Sequence, residues 1–191
     1  MILMKLKRSL WFVYRFGFLK FGKKSVIYKP MMITGKKYIE IGKRVTFRNF
    51  ARVEVLDKWH NQVFKPKLII GDGTSFEQNL HLTCAGDMII GNNCVFTGNV
   101  MISNIIHSND VIDRNILLND LIIKSVIIED NCFVGYGAKI MPGVKIGRNC
   151  IIGAGSVVTK SFPPYSIIAG NPAKIIKKYD FDRMEWIKVS I

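Results

Sequence analysis

The chain has 191 residues, 49% of them hydrophobic, with 28 lysines and arginines against 14 aspartates and glutamates, for a net charge of +14. That is enough for one domain with a sizeable core, and the positive excess selects anionic partners: nucleic acid, an anionic membrane or phosphorylated ligands. No helix-turn-helix, zinc-finger or RNA-binding aromatic signature accompanies the charge, so nucleic acid gives way to a polyanionic cofactor and a lipid surface.

Residues 1–38 read as a basic amphipathic N-terminal segment. Its first part, residues 1–24, holds seven basic residues and no acid, with Leu6, Leu10 and Val13 at helical spacing. A signal peptide fits in outline, but Arg15 interrupts the apolar region and no small-x-small cleavage site follows. The apolar run is too short to span a bilayer. Two readings stand: an interfacial amphipathic helix, or a helical cap on the open end of a solenoid.

A six-residue beat runs through residues 39–163. Ile128, Val134, Ile140, Ile146, Ile152 and Val158 recur at that interval, often followed by a small or acidic residue (Glu129, Gly135, Gly147, Gly153). Four places after each anchor stand Cys132, Ala138, Val144, Cys150, Ser156 and Phe162. Neither a helix nor a two-residue strand alternation explains this pattern. A hexapeptide solenoid does, because each six-residue side turns one corner and points one aliphatic inward. The beat also appears in Ile41–Phe47–Val53, Ile70–Phe76–Leu82 and Ile90–Phe96–Ile102. The expected fold is a parallel β-helix.

The beat breaks at Asp57–Lys67, where Trp59, His60 and Phe64 mark a surface loop suited to acceptor contact. It breaks most between Ile102 and Ile128, so a loop over about residues 103–125 leaves the coil and returns in a new register. His107 stands at the mouth of that loop, near Asn104, Asn109, Asp110 and Asp113. Such surroundings can orient an imidazole and set its pKa near neutrality. Cys94, Cys132 and Cys150 fall at inward positions and read as buried thiols in a reducing cytosol, with Cys84 left for the surface. There is no CxxC pair, so a structural zinc site is not expected.

The hexads, the MISNIIH stretch and the ending GAGSVVTKSFPPYSIIAGNPAKIIKKY resemble the hexapeptide-repeat acyltransferases. Within them the chain is similar to the polysaccharide and lipopolysaccharide O-acetyltransferase branch, akin to maltose and galactoside acetyltransferases. The resemblance implies a left-handed β-helix, acetyl-CoA as cosubstrate, no metal, and a homotrimer with active sites between subunits. It makes His107 the general base for a sugar hydroxyl that attacks the thioester directly. This chain has Asn104 where the family often has aspartate, so Asp110 or a backbone carbonyl becomes the candidate partner of His107. Asn79, His81, Asn99 and Asn104 would meet the acceptor, although a ladder of asparagines at a coil corner accounts for Asn99 equally well. The coenzyme would lie against Gly135, Gly137, Ala154, Gly155 and Ser156, with Lys160, Lys174 and Lys177 at its phosphates and Asn171 in the turn after the last coil. Residues 164–191 form the cofactor-side turn and a tail expected to be a short helix.

Other readings share parts of this pattern. A γ-type carbonic anhydrase would need His60, His81 and His107 to converge on zinc. An acetyltransferase for serine, a xenobiotic or an amino-sugar nucleotide differs only in its acceptor. A non-catalytic trimeric scaffold would dispense with coenzyme binding. The setting expected for the enzyme is the cytoplasm, with peripheral contact at the inner face of the plasma membrane.

Overall fold

The computed structural model describes residues 15–189. Over that span the chain winds as a three-sided, left-handed parallel β-helix, nearly all β. The first face runs from Lys20–Phe21 through Ile39–Ile41, Lys67–Ile70, Asp87–Ile90 and Val126–Ile128 to Lys145–Ile146. The second runs from Val26–Ile27 to Ser166–Gly170, and the third from Met32–Ile33 through Arg52–Val55, His81–Cys84, Met101–Ser103 and Lys139–Ile140 to Val157–Val158.

The six-residue beat is the inward column of each face. Ile41, Ile70, Ile90, Ile128 and Ile146 stand in register, as do Val53, Leu82, Ile102, Ile140 and Val158. On the second face Phe47, Phe76 and Phe96 stack with centroids 4.6 and 4.7 Å apart and planes 19° from parallel. All three are buried, and each such side chain is worth about 1.5–3 kcal/mol of transfer free energy. The residues four places after each anchor, Cys132 through Phe162, are buried as well.

Most corners take one residue through the left-handed region, which glycine and asparagine tolerate best. Between the first and second faces these are Lys24, Arg44, Gly73, Asn93, Asn131 and Asn149. In the third to fifth coils the residue before the left-handed one supplies a ladder: Asp72 Oδ1 accepts from Lys43 N, Asn92 Oδ1 from Asp72 N, and Asp130 Oδ1 from Asn92 N. Between the second and third faces the left-handed residues are Phe50, Asn79, Asn99, Gly137 and Gly155, joined by backbone hydrogen bonds from coil to coil.

Several expectations change. Residues 1–14, where most of the N-terminal helix was expected, lie outside the described residues. From Lys20 the chain is already in the coil, paired to Glu40 and Ile41 ahead of the expected start at residue 39. The expected C-terminal helix is instead a β-hairpin. Ala173–Asp180 pairs antiparallel with Ser166–Gly170 and then with Glu185–Lys188. Asp180 Oδ1 accepts from the N–H groups of Asp182 and Arg183 and so closes that turn, while Tyr179 packs edge-on against Trp186. Cys84, expected at the surface, is buried like the other three thiols. Burial pushes its thiol up to about 12.

Candidate functional site

The excursion begins as Ile105–His107, paired antiparallel with Leu121–Ile123, so that His107 sits opposite Leu121. A second hairpin, Lys58–Trp59 with Gln62–Val63, leaves the same corner two coils earlier and braces it. Trp59 Nε1 donates to Asn119 O at 3.1 Å, and Gln62 makes reciprocal bonds to the backbone of Leu121 at 3.1 and 2.7 Å. His60 Nε2 meets Leu117 O at 2.8 Å. Inside the excursion Asn119 donates to Ser108 O and Val111 O and accepts from Arg114 Nε. Together these bonds hold the loop in place despite its irregular path.

His107 therefore projects from a braced support into a cleft of about 410 Å³. Its ring packs edge-on against Trp59, with centroids 5.4 Å apart. Nδ1 is enclosed without a hydrogen-bond partner, which leaves Nε2 as the nitrogen that a ligand can reach. The floor is the outward side of the third face. Here Arg52 Nη2 pairs with Glu54 Oε2 at 2.5 Å, and Thr83 Oγ1 donates to Ser103 Oγ at 2.8 Å. His81, in register with Arg52, has its pKa lowered by burial first and by the Arg52 charge second. Arg52 Nε is likewise enclosed and unpartnered. Arg52, Glu54, Thr83 and Ser103 were missed in the sequence. They flank the inward Val53, Leu82 and Ile102, and the two-residue alternation around each anchor marks them as outward.

Of the expected acceptor residues, His81 lines this cleft. Asn104 is fully buried and spent on backbone: its Oδ1 accepts from Ala85 N at 2.9 Å and its Nδ2 donates to Asp87 O. Asn79 and Asn99 form a ladder at the corner between the second and third faces, with Nδ2 of Asn79 bonded to Oδ1 of Asn99 at 2.8 Å and Asn99 in turn bonded to Tyr136 Oη. The structure does not bring Asp110 to His107; its carboxylate accepts from Ser108 Oγ.

Of the expected cofactor residues, Lys160 and Lys174 meet in a groove of about 380 Å³ at the C-terminal end. Lys177 lies opposite Ile167 on the hairpin, outside that groove. Gly137 and Gly155 continue the corner column of Asn79 and Asn99, and a Cβ on either would meet nothing within 4 Å. The corner is thus cleared of side chains in the last coils. Ala154 and Asn171 are exposed on that side. Gly135 and Ser156 serve the coil itself: a Cβ on Gly135 would lie 2.6 Å from Ala154 N, and buried Ser156 Oγ accepts from Gly170 N. Among the described residues no three His, Cys, Asp or Glu side chains group as a metal-ligand set, and His60, His81 and His107 do not converge.

A three-sided parallel coil with an imidazole on an excursion defines the hexapeptide solenoid class. The "Bacterial transferase hexapeptide (six repeats)" profile matches residues 125–160. A galactoside O-acetyltransferase from Lactococcus lactis is 38% identical over 108 residues, covering 56% of this chain and 51% of its own. A maltose O-acetyltransferase from Clostridium difficile is 30% identical in its solved structure, with a TM-score of 0.56 over 85% of this chain and 71% of that one. The N-acyltransferase AntD from Bacillus cereus, solved with dTDP and 3-hydroxybutyryl-CoA, has a TM-score of 0.72 at 21% identity, covering 90% of this chain and 88% of its own. At that identity AntD shares the fold alone. The chain spans about half the length of the curated relatives it matches. It belongs to the hexapeptide-repeat transferase family.

Proposed function

We propose that the chain is an acetyl-CoA-dependent O-acetyltransferase acting on a sugar hydroxyl of a surface polysaccharide or its lipid-linked precursor. The observation that carries this reading is His107, braced by Trp59 and exposing Nε2 to a cleft floored by Arg52, Glu54, Thr83 and Ser103. Ion-pair and hydroxyl groups beside an indole suit a polyhydroxylated ring, which needs several donors and acceptors and one apolar wall.

In the proposed reaction Nε2 of His107 takes the proton of the acceptor hydroxyl as its oxygen attacks the thioester carbonyl. The new C–O bond forms as the C–S bond breaks, and the imidazolium returns the proton to the departing thiolate. A backbone N–H steadies the developing oxyanion. Lys160 and Lys174 are suited to hold the coenzyme phosphates as point charges, and the bare corner at Gly137 and Gly155 allows its arm to lie close to the backbone. His81 is proposed on the acceptor side, with Asn79 and Asn99 at its edge.

A homotrimer is part of the proposal. The tip of the excursion exposes Val111, Ile112, Ile116, Leu117 and Leu118, apolar side chains suited to pack on a second copy. Burial under such a copy also offers the unpartnered Nδ1 of His107 a place to find its acceptor.

The test is release of CoA from acetyl-CoA with a panel of glycans, serine and an amino-sugar nucleotide, comparing the parent with His107→Ala. A sugar-dependent release that falls by about 10²–10⁴ in the variant is expected for loss of a general base. An unchanged rate would put the base elsewhere. Activity confined to the amino-sugar nucleotide would replace O-transfer with N-transfer, and failure to bind CoA would favour a scaffold.

A further inference from the structure

The corner between the first and second faces follows one rule in its third to fifth coils and breaks it in the first two, while the sixth carries Arg148–Asn149. Coils three to five carry Asp72–Gly73, Asn92–Asn93 and Asp130–Asn131 there, pairs in which the first side chain caps the neighbouring coil and the second accepts a left-handed backbone. The first two coils carry Lys23–Lys24 and Lys43–Arg44 instead. Lys24 and Arg44 adopt φ of 63° and 56°, a conformation that glycine or asparagine would adopt at lower cost. Adjacent coils are about 4.8 Å apart, so the four cations form a two-by-two array of like charge, which opposes folding.

None of the four is in an ion pair among the described residues. With Lys20 they line an open notch of about 480 Å³ whose one acid, Asp72, is committed to Lys43 N. A repeat protein that keeps strained, mutually repelling cations where its own pattern offers asparagine retains them for something that the coil does not need. The wider surroundings share this bias. The first 48 residues hold 13 of the 28 basic residues and one of the 14 acids, Glu40. Leu19, next to Lys20, is 61% exposed.

We propose that this notch is the contact of the protein with an anionic phospholipid surface, its cations meeting lipid phosphates while the neighbouring Leu19 enters the interface. Several point charges along one corner beside an exposed apolar side chain fit a plane of phosphates better than one small anion. The notch lies in the first two coils, whereas Lys160 and Lys174 lie in the last ones, so the two basic sites are independent and this proposal stands apart from the catalytic one.

The protein's own repeat supplies the test variant. Lys23→Asn, Lys24→Asn, Lys43→Asn and Arg44→Asn install the residues found at this corner in the later coils, so the variant should melt no lower than the parent. Flotation on vesicles of phosphatidylcholine mixed with phosphatidylglycerol, against phosphatidylcholine alone, reads the contact. The parent should float with the anionic vesicles and not with the neutral ones. Removing one cation should weaken binding about five-fold, and removing all four should weaken it several-hundred-fold. A Lys160→Asn, Lys174→Asn variant should float like the parent. Parent-like flotation of the four-fold variant would overturn the proposal and leave any binding to other parts of the chain. Absence of flotation together with a calorimetric signal for inorganic pyrophosphate that the four-fold variant lacks would replace the lipid surface with a soluble phosphate.

Discussion

Asn104 separates two roles that sequence and structure assign to one residue. The sequence placed it among the acceptor contacts; in the structure its amide is consumed by the backbone of Ala85 and Asp87, where the third face gives way to the first. Asn104→Ala leaves the N–H of Ala85, a residue 1% exposed, without a partner. An orphaned buried donor costs about 1–3 kcal/mol, and for a chain of this size 1 kcal/mol moves the midpoint by about 2–4 °C. A central value of about 2 kcal/mol therefore lowers the melting temperature by about 4–8 °C. Differential scanning calorimetry of parent and variant measures it directly. The KM for acceptor should stay within about two-fold, since the amide does not reach the cleft. An unchanged midpoint with a KM raised ten-fold or more would refute the backbone role and restore the acceptor contact.

Other consequences follow from the same geometry. His81 has its pKa lowered in the fold below the ordinary 6.5, so the unfolded chain binds more protons than the native one in that range. Stability should then be fully present above pH 6.5 and decline as pH falls below it, and His81→Asn should flatten this part of a melting-temperature profile; an identical slope in the variant would remove His81 as its source. The four thiols are buried, and Cys84 and Cys150 are raised by burial, so the native protein at pH 8 should resist a thiol-specific chromogenic reagent and react fully in denaturant. Fast reaction of one thiol in the native state would show local opening of the coil.

The parts of the fold that were legible are those in which one residue has one job. An inward hexad position must be apolar and recurs at a fixed interval, and Ile128 through Val158 show this without interruption. The first coil carries the same mark in Phe21, Ile27 and Ile33, six apart, but the dense basic and aromatic stretch before it favoured a helical reading. The tail was misread for a related reason. Residues around DFDRMEW suit a helix taken alone, but the partner strand already in place at Ser166–Gly170 offers Ala173–Asp180 a ladder of hydrogen bonds, and tertiary pairing outweighs local preference. At the site, His107 was legible because the broken period pointed to it. Trp59 and Gln62 lie about sixty residues from their partners Asn119 and Leu121, and no local pattern carries a contact of that span. Asn79 and Asn99 were visible as asparagines, but their left-handed φ supplies a sufficient structural reason for them.

The placement of Gly155 and His107 has a consequence for the proposed trimer. Both border the third face, but Gly155 stands at its corner with the second face and His107 at its corner with the first. Strands of two to four residues at about 3.3 Å per residue set these corners roughly 10 Å apart, which favours a site in which the cleared corner of one copy faces the His107 of another. In a ring with head-to-tail interfaces each site then draws on two chains. Phe50 already takes the left-handed conformation in the same corner column, so Gly155→Phe can fold there while filling the cleared space. His107→Ala and Gly155→Phe should each be inactive alone. Unfolded together, refolded at equal concentration and assayed for CoA release, they should regain about a quarter of parental activity, because three quarters of random trimers are mixed and each mixed trimer has one intact site of three. Recovery near zero, with mixed trimers shown by mass spectrometry, would place both groups of each site on a single chain.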